Sequence, residues 1–481
     1  MAAPARGSGS RSTGSRGSAR SGPAARTADP VRRAAFDVLS AVTDRGAYAN
    51  LLLASTLKDR GLRGQDAALA TELVYGTLRG RGSYDAVIGL CADRDLDRID
   101  PPVRDVLRLG AHQLLGMRVR PHAAVATSVD LAVDVAGRRP SGFVNAVLRR
   151  VAMRDLQEWI EIAAPDRAAD LLGHLSVRYS HPHWVVAALA DALGERPADG
   201  LTATEAALAA NLERPAVTLC AAPGLSTADE LITAGAGPAR WSPFGAHLAG
   251  GDPGEIAAVA QRRAGVQDEA SQLAALALSR VQADGADRAW LDICAGPGGK
   301  ARLLAGLAAA RGAVLVAADL HEHRARLVSE SVGQIGSAAA VTADARSPAW
   351  RLASFDRVLA DVPCSGLGSL RRRPEARWRR TSSDIDAMTN LQRDLLTAAA
   401  DSARPGGVLA YVTCSPHVAE TREVVGQVLE HRDDLQVLDA PAVLAEIPDL
   451  RCPAPYGRYA QFWPHRHGTD AIFIALLRRT G

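Results

Sequence analysis

Residues 289–300 read AWLDICAGPGGK: a short apolar strand, then a loop with three glycines, then the opening of a helix. The same succession of strand, loop and helix continues toward the C-terminus. Apolar strand patterns recur at about 313–318 (AVLVAA), 339–343 (AAVTA), 356–361 (DRVLAD), 407–413 (GVLAYVT) and 472–477 (IFIALL). Helical patterns occupy 299–310, 321–334, 386–403 and 418–431. Apolar strands alternating with helices predict an α/β fold with a parallel, doubly wound sheet covered on both faces. Such sheets bind ligands at the carboxyl ends of their strands, so function is expected in the loops that follow them.

At 481 residues the chain is too long for one core, and two or three domains are expected. Hydrophobic residues make up 47% and charged residues 23%, the balance of an ordinary globular protein. No apolar run approaches the ~18 residues that would span a bilayer, and the N-terminus lacks the apolar core of a secretory signal. The six cysteines are far apart with no C-x-x-C pair, so neither a metal site nor a disulfide framework is expected, and a reducing cytoplasm fits. The net charge of +3 conceals five arginines and no acid in residues 1–28, which leaves the rest of the chain near neutral. Any nucleic-acid surface is therefore a local patch. Only two lysines occur among 56 basic residues, Lys58 and Lys300, which suggests a need for a compact ammonium at those places.

Four parts follow from composition. Residues 1–28, rich in Gly, Ser, Ala and Arg, are expected to form a disordered basic tail. Asp29-Pro30 has the form of a helix start, and helical patterns continue through roughly 48–60, 65–80, 102–117, 122–136 and 141–153. Residues 29–155 thus read as an all-α bundle. Its pieces AYANLLL, ATELVYGTLRG, VLRLGAHQLLGM and SGFVNAVLRR resemble the NusB-like helical module, which implies RNA binding. Arg79, Arg81, Arg149 and Arg150 are candidate contacts there, with a solvated basic face as the alternative. Residues 156–265 are expected to hold a linker helix and a small α+β subdomain, and 266–481 a catalytic domain. CAAPGL (220–225) has the look of the glycine loop but lacks its second glycine and its lysine, and reads as coincidence.

Three readings of DICAGPGGK (292–300) compete. A P-loop needs G-x-x-x-x-G-K-[ST], but Cys294 replaces the first glycine and Ala301 the hydroxyl residue. A dinucleotide loop needs G-x-G-x-x-G, whereas the glycines here are Gly296, Gly298 and Gly299. The third is an S-adenosylmethionine site, in which the loop at a helix N-terminus faces a methionine carboxylate. Two acids favour it. Asp319 ends the second strand, where a carboxylate can accept both ribose hydroxyls. Asp344, after the third strand, can accept from the adenine amino group.

VLADVPCSG (358–366) and VLAYVTCS (408–415) each end a predicted strand in a cysteine, Cys364 and Cys414. In a sheet of order 3-2-1-4-5 these strands are neighbours about 4.8 Å apart, and both thiols project into one site. Methylation of cytosine at C5 can use such a pair. C5 is a poor nucleophile until a thiolate adds to C6 while N3 is protonated; afterwards the C5 proton leaves and the thiolate is eliminated. Asp361, Cys364 and Cys414 supply groups of these types. Amino-directed methyltransferases carry Asn/Asp-Pro-Pro-Tyr at the place held here by Asp361-Val362-Pro363-Cys364. The bland alternative, that free cysteines are small buried hydrophobes, fits Cys91, Cys220 and Cys452 better.

DICAGPGGK, DVPCSGLG, RRRPEARW, LQRDLL, TCSPHVAE and QFWPHRHGTDAIFIALL occur in the order of the RNA 5-methylcytosine methyltransferases of the Sun/RsmB type, with QDEASQL (267–273) ahead of the first strand. The resemblance covers about 260–481 and implies a class I, Rossmann-like, S-adenosylmethionine-dependent methyltransferase. It implies Cys414 as nucleophile and Cys364 as the residue assisting product release, with Asp361 and Lys300 beside them. The donor would lie against Cys294, Ala295, Gly296, Pro297, Gly298, Gly299 and Lys300, with Asp319, Asp344 and Asp361. Gly296 departs from the alanine usual in the family. Joined to a NusB-like N-terminus, the resemblance implies 16S rRNA as substrate; tRNA, 23S rRNA, or an inactive RNA-binding assembly factor are the alternatives.

Six arginines, Arg371, Arg372, Arg373, Arg377, Arg379 and Arg380, surround Trp378 shortly after Cys364. Guanidinium groups hold phosphates bidentately and an indole stacks on an unpaired base, so this stretch is the expected RNA contact. The target cytosine has to leave its stack to be attacked. A cytoplasmic monomer is expected, with RNA as its partner and neither DNA nor a membrane.

Overall fold

The computed structural model describes residues 28–452 and 456–481, so the basic tail expected over 1–28 lies, save Ala28, outside the described residues. Asp29 caps α1 (Pro30–Arg45) by accepting from the Arg32 N–H at 2.9 Å, with Pro30 at the first helical position. α2 (Ala49–Asp59), α3 (Gly64–Ala92), α4 (Pro101–Ala111), α5 (Pro121–Ala136) and α6 (Ser141–Val151) complete a helical domain with its own apolar core. The helix expected at 65–80 runs on to Ala92. Gly82 does not end it, because the missing side chain is replaced by a neighbour: a Cβ there would lie 2.7 Å from the Trp378 ring.

α7 (Leu156–Ala163), α8 (Leu171–Arg178), α9 (His183–Leu193) and α10 (Thr202–Ala210) lead into a small antiparallel sheet. Its strands β1 (Val217–Ala221), β2 (Gly237–Pro238), β3 (Gly245–Leu248) and β4 (Ala264–Val266) lie in the order β2-β3-β1-β4. α11 (Ala228–Thr233) and α12 (Ala257–Ala260) share its core through Leu231 and Ala258. CAAPGL begins on β1, in this second sheet.

α13 (Glu269–Arg280) packs against the main sheet. That sheet comprises β5 (Ala289–Asp292), β6 (Val314–Asp319), β7 (Ala338–Thr342), β8 (Phe355–Asp361), β9 (Ala403–Thr413), β10 (Leu435–Leu438), β11 (Ala460–Gln461) and β12 (Phe473–Arg479). Its order is β10-β12-β9-β8-β5-β6-β7, with β11 beside β12. β7, β6, β5, β8 and β9 are parallel neighbours, the expected order 3-2-1-4-5. β12 enters antiparallel between β9 and β10, a direction its apolar run could not reveal because a buried strand has the same composition either way up.

α14 (Gly299–Ala309), α15 (Glu322–Val332), α16 (Asp384–Ser402) and α17 (Arg422–Leu429) complete the fold around the sheet. Trp290, Val408 and Ile474 enter one apolar layer, and their chain neighbours Leu291, Leu409 and Phe473 the other. Burial on both faces explains why the strands read as unbroken apolar runs. A further core joins α9 and α10 to Leu367, Leu370 and Trp463, so the segment after Cys364 rests on the connecting helices. Among the described residues no helix is long and apolar enough to cross a membrane.

Candidate active site

The carboxyl ends of the parallel strands open into a cleft of about 640 Å³, a size usual for small-molecule sites. Its geometry begins with register. Asp361 pairs with Val412, so the segments Pro363-Cys364 and Thr413-Cys414 leave the sheet side by side. The two Sγ atoms are 3.1 Å apart, a hydrogen-bonded thiol pair well beyond the ~2.05 Å of a disulfide. From the first turn of α14, Lys300 Nζ reaches to 2.8 Å from Asp361 Oδ2 and 3.4 Å from Ser271 Oγ.

The thiols differ electrically. The hydrogen bond from Cys364 favours a thiolate at Cys414; with the Lys300 and Arg373 cations it holds that pKa below the ordinary thiol value, against burial and Asp361. The same hydrogen bond, then burial and the charges at Cys414 and Glu420, drive Cys364 well above it. Burial disfavours the Lys300 charge, but its pairing with Asp361 outweighs this and raises its pKa. The pair is thus biased toward charge on Cys414 and a proton on Cys364, with the Lys300 ammonium alongside.

Beneath the thiols lies a residue that sequence reasoning passed over. Glu420 is fully buried and accepts from the Ser365 N–H at 2.7 Å, from the Ser365 and Ser415 hydroxyls, and from Gln392 Nε2 at 3.1 Å. Ser365 and Ser415 each follow a cysteine directly, so one carboxylate ties both cysteine loops together. In TCSPHVAE this acid looks like an ordinary helix cap.

At the other end of the cleft, Cys294, Ala295, Gly296, Pro297, Gly299 and Lys300 line the wall, while Gly298 turns the chain into α14 and does not. Asp319 accepts from the Gly296 and His321 N–H groups, each at 3.0 Å, and each oxygen keeps a lone pair for a further donor. Arg324 donates to the Gly296 carbonyl at 2.5 Å and lies 3.4 Å from Asp319. A Cβ on Gly296 would come within 2.4 Å of Asp319 and 2.7 Å of Arg324, so the glycine leaves room for both. Asp344 faces the cleft but is held by Arg346 at 2.7 Å. Leu320, 52% exposed, adds an apolar wall that the sequence did not single out. Behind the loop, buried Asp292 accepts from the Cys294 N–H at 3.2 Å; burial and the Asp361 charge push its pKa up to about 8.

Comparison with known proteins places this architecture. Residues 279–478 match the family described as 16S rRNA methyltransferase RsmB/F, and residues 29–153 the NusB family. A probable ribosomal RNA small subunit methyltransferase B of Bacillus subtilis is 30% identical over 470 residues, covering 94% of this chain and 99% of the relative. The chain belongs to the RsmB/F methyltransferase family. A putative methyltransferase of Mycobacterium tuberculosis is 49% identical over 463 residues, 95% of this chain and 98% of that one. In fold, the crystal structure of PH0851 matches with a TM-score of 0.76 at 21% identity, covering 95% of this chain and 100% of the other. NSun6 from Pyrococcus horikoshii gives 0.51 at 17% identity, covering 62% and 98%.

In this RsmB/F member the arginine stretch is divided between buried and exposed side chains. Arg377 is fully buried and donates to the carbonyls of Arg79 at 2.9 Å, Ser180 at 3.1 Å and Asn211 at 2.8 Å; burial lowers its pKa to about 9. Arg371 is buried against the Gly468 carbonyl, and Arg372 bonds Asp470 and Asp268. The guanidinium groups of Arg371 and Arg377 are thus buried against protein carbonyls, whereas Arg372 is part-exposed and lines the cleft. Trp378, half-buried, packs on Gly82 with Arg81 over its ring at 5.3 Å. Arg379 donates to the Ala47 carbonyl. Arg373 and Arg380 stay exposed on the cleft edge. Of the helical-domain candidates, Arg149 and Arg150 are exposed, whereas Arg79 and Arg81 are half-buried at the domain junction.

Proposed function

We propose that this protein is an S-adenosylmethionine-dependent methyltransferase that forms 5-methylcytosine in RNA, with 16S rRNA as its substrate. The observation that carries this reading is the Cys364–Cys414 pair, 3.1 Å apart, beside the Lys300–Asp361 ion pair. Transfer to an exocyclic nitrogen needs no thiol, whereas activation of C5 needs a nucleophile at C6 and a base for the C5 proton. The family description and the name of the Bacillus subtilis relative support rRNA of the small subunit as the target.

The donor fits the other end of the cleft. N–H groups at the start of α14 suit its carboxylate, Asp319 suits ribose hydroxyls, and Leu320 and Asp344 suit the adenine ring and its amino group. When bound, S-adenosylmethionine supplies an electrophilic methyl group. Cys414 adds to C6 as the thiolate, the C5–C6 electron pair shifts toward N3, and N3 takes a proton through Asp361. The enamine carbon C5 then takes the methyl group.

Removal of the C5 proton restores the double bond and expels Cys414. Electrostatics orders the two thiols in time. While Cys414 is anionic, its charge and hydrogen bond keep Cys364 protonated. Once the Cys414 charge is spent in the S–C6 bond, that restraint is gone; Cys364 gives its proton to solvent at the open cleft, and its thiolate then takes the one from C5.

The test is a map of 5-methylcytosine across all RNAs of a strain lacking the gene. Loss of a methyl group from 16S rRNA is expected. A map unchanged at every cytosine would remove the enzyme reading.

A further inference from the structure

The helical domain reaches the catalytic cleft at one side chain. Tyr48, at the turn between α1 and α2, is 52% exposed and lines the same cleft as the two thiols. Its two chain neighbours are both bonded across the domain junction. Arg379 donates to the Ala47 carbonyl, and the Ala49 N–H donates to Glu375 Oε1 at 3.3 Å. The Arg379 guanidinium lies over the Tyr48 ring, 4.4 Å from its centroid. One ring face is covered by a planar cation, and the rest of the side chain remains open. Exposed Arg373 and Arg380 border the same opening.

We propose that Tyr48 stacks on the unpaired base next to the target cytosine, with Arg373 and Arg380 on the adjoining phosphates, so that the helical domain forms part of the acceptor site. This rests on the RNA reading above. A cytosine attacked at C6 sits inside the cleft, out of its stack, and its neighbour is left with an open face at the rim. An aromatic ring replaces the lost stacking partner, whatever the base, and a guanidinium on its far side strengthens the sandwich. Positive charge at the rim fits an RNA backbone and does not fit a basic or purely apolar partner.

The experiment uses the full chain and a 16S rRNA fragment containing the cytosine found by the methylation map. Tyr48→Ala should raise the KM for RNA about 10-fold, leaving the KM for S-adenosylmethionine and the melting temperature unchanged. Tyr48→Trp should restore the KM, and Tyr48→Leu should not. A 2-aminopurine placed beside the target should be quenched by the wild type and not by Tyr48→Ala. An active wild type whose Tyr48→Ala variant keeps its RNA KM and its quench overturns the stacking site alone. Rescue by leucine overturns it in favour of a plain apolar contact. A wild type inactive on every RNA overturns the function and this site with it.

Discussion

The two ends of the cleft are built in different ways. The end proposed to hold the donor comes from successive strand–loop–helix units of a single domain, with the 294–300 loop, Asp319, Leu320 and Asp344 following one another along the chain. The end proposed to take the acceptor is assembled from distant pieces: two cysteine loops, Lys300 from the glycine loop, and Tyr48 from the helical domain. Chain order alone largely determines the first. The second depends on how strands register and how domains meet, so it can be damaged from far away in sequence.

The sharpest break of this contrast is at the thiols. Cys414→Ala should abolish methylation and any covalent protein–RNA adduct while donor binding, read by calorimetry, stays intact. Cys364→Ala should instead let a denaturant-resistant adduct accumulate on a gel. Opposite outcomes would exchange the two roles.

Lys300 belongs to both ends, and its removal should be felt at the acceptor. Without the ammonium the Cys414 thiolate is less favoured, so its pKa rises. Lys300→Met should therefore move the pH profile of adduct formation upward and slow the reaction on the order of 10²-fold. An unmoved profile would mean that the cation does not set the Cys414 thiolate.

Stability separates the buried arginine from the exposed one. Arg377→Ala leaves three carbonyls without their donor and should cost about 3 kcal/mol in chemical denaturation. Arg373→Ala should leave stability untouched and weaken RNA binding with a smaller salt slope. Equal effects on stability would undo the division of the arginine stretch.

A pH-dependent effect is expected behind the donor loop. The Asp292 carboxyl is raised to about 8 in the folded chain, so the stability it contributes is full below the ordinary carboxylate range and is lost progressively as pH rises to about 8. Asp292→Asn should flatten that decline in denaturation measured at several pH values. A slope equal to that of the wild type would mean Asp292 does not titrate there.

What was legible in the sequence follows the same contrast. The parallel strands announced themselves because both faces are buried, and their order brought Cys364 and Cys414 together once register was taken from the strand ends. The direction of β12 was not legible, since burial carries no polarity. Nor was the fate of the arginines: a guanidinium that ties carbonyls between domains and one that meets a phosphate are the same letter. Glu420 escaped for a related reason, because an acid near a helix start has a commoner explanation than holding two cysteine loops.

Gly82 carries a consequence for how such chains can be recombined. Its bare backbone receives Trp378, while the carbonyls of Arg79 and Ala47 receive Arg377 and Arg379. A chimera that kept residues 266–481 and borrowed its helical domain from elsewhere would need a residue without a side chain at that place and carbonyls at the same two spots. Lacking them, the segment after Cys364 would lose its floor. The halves look separable on paper, yet in this chain each is shaped to the other at the joint.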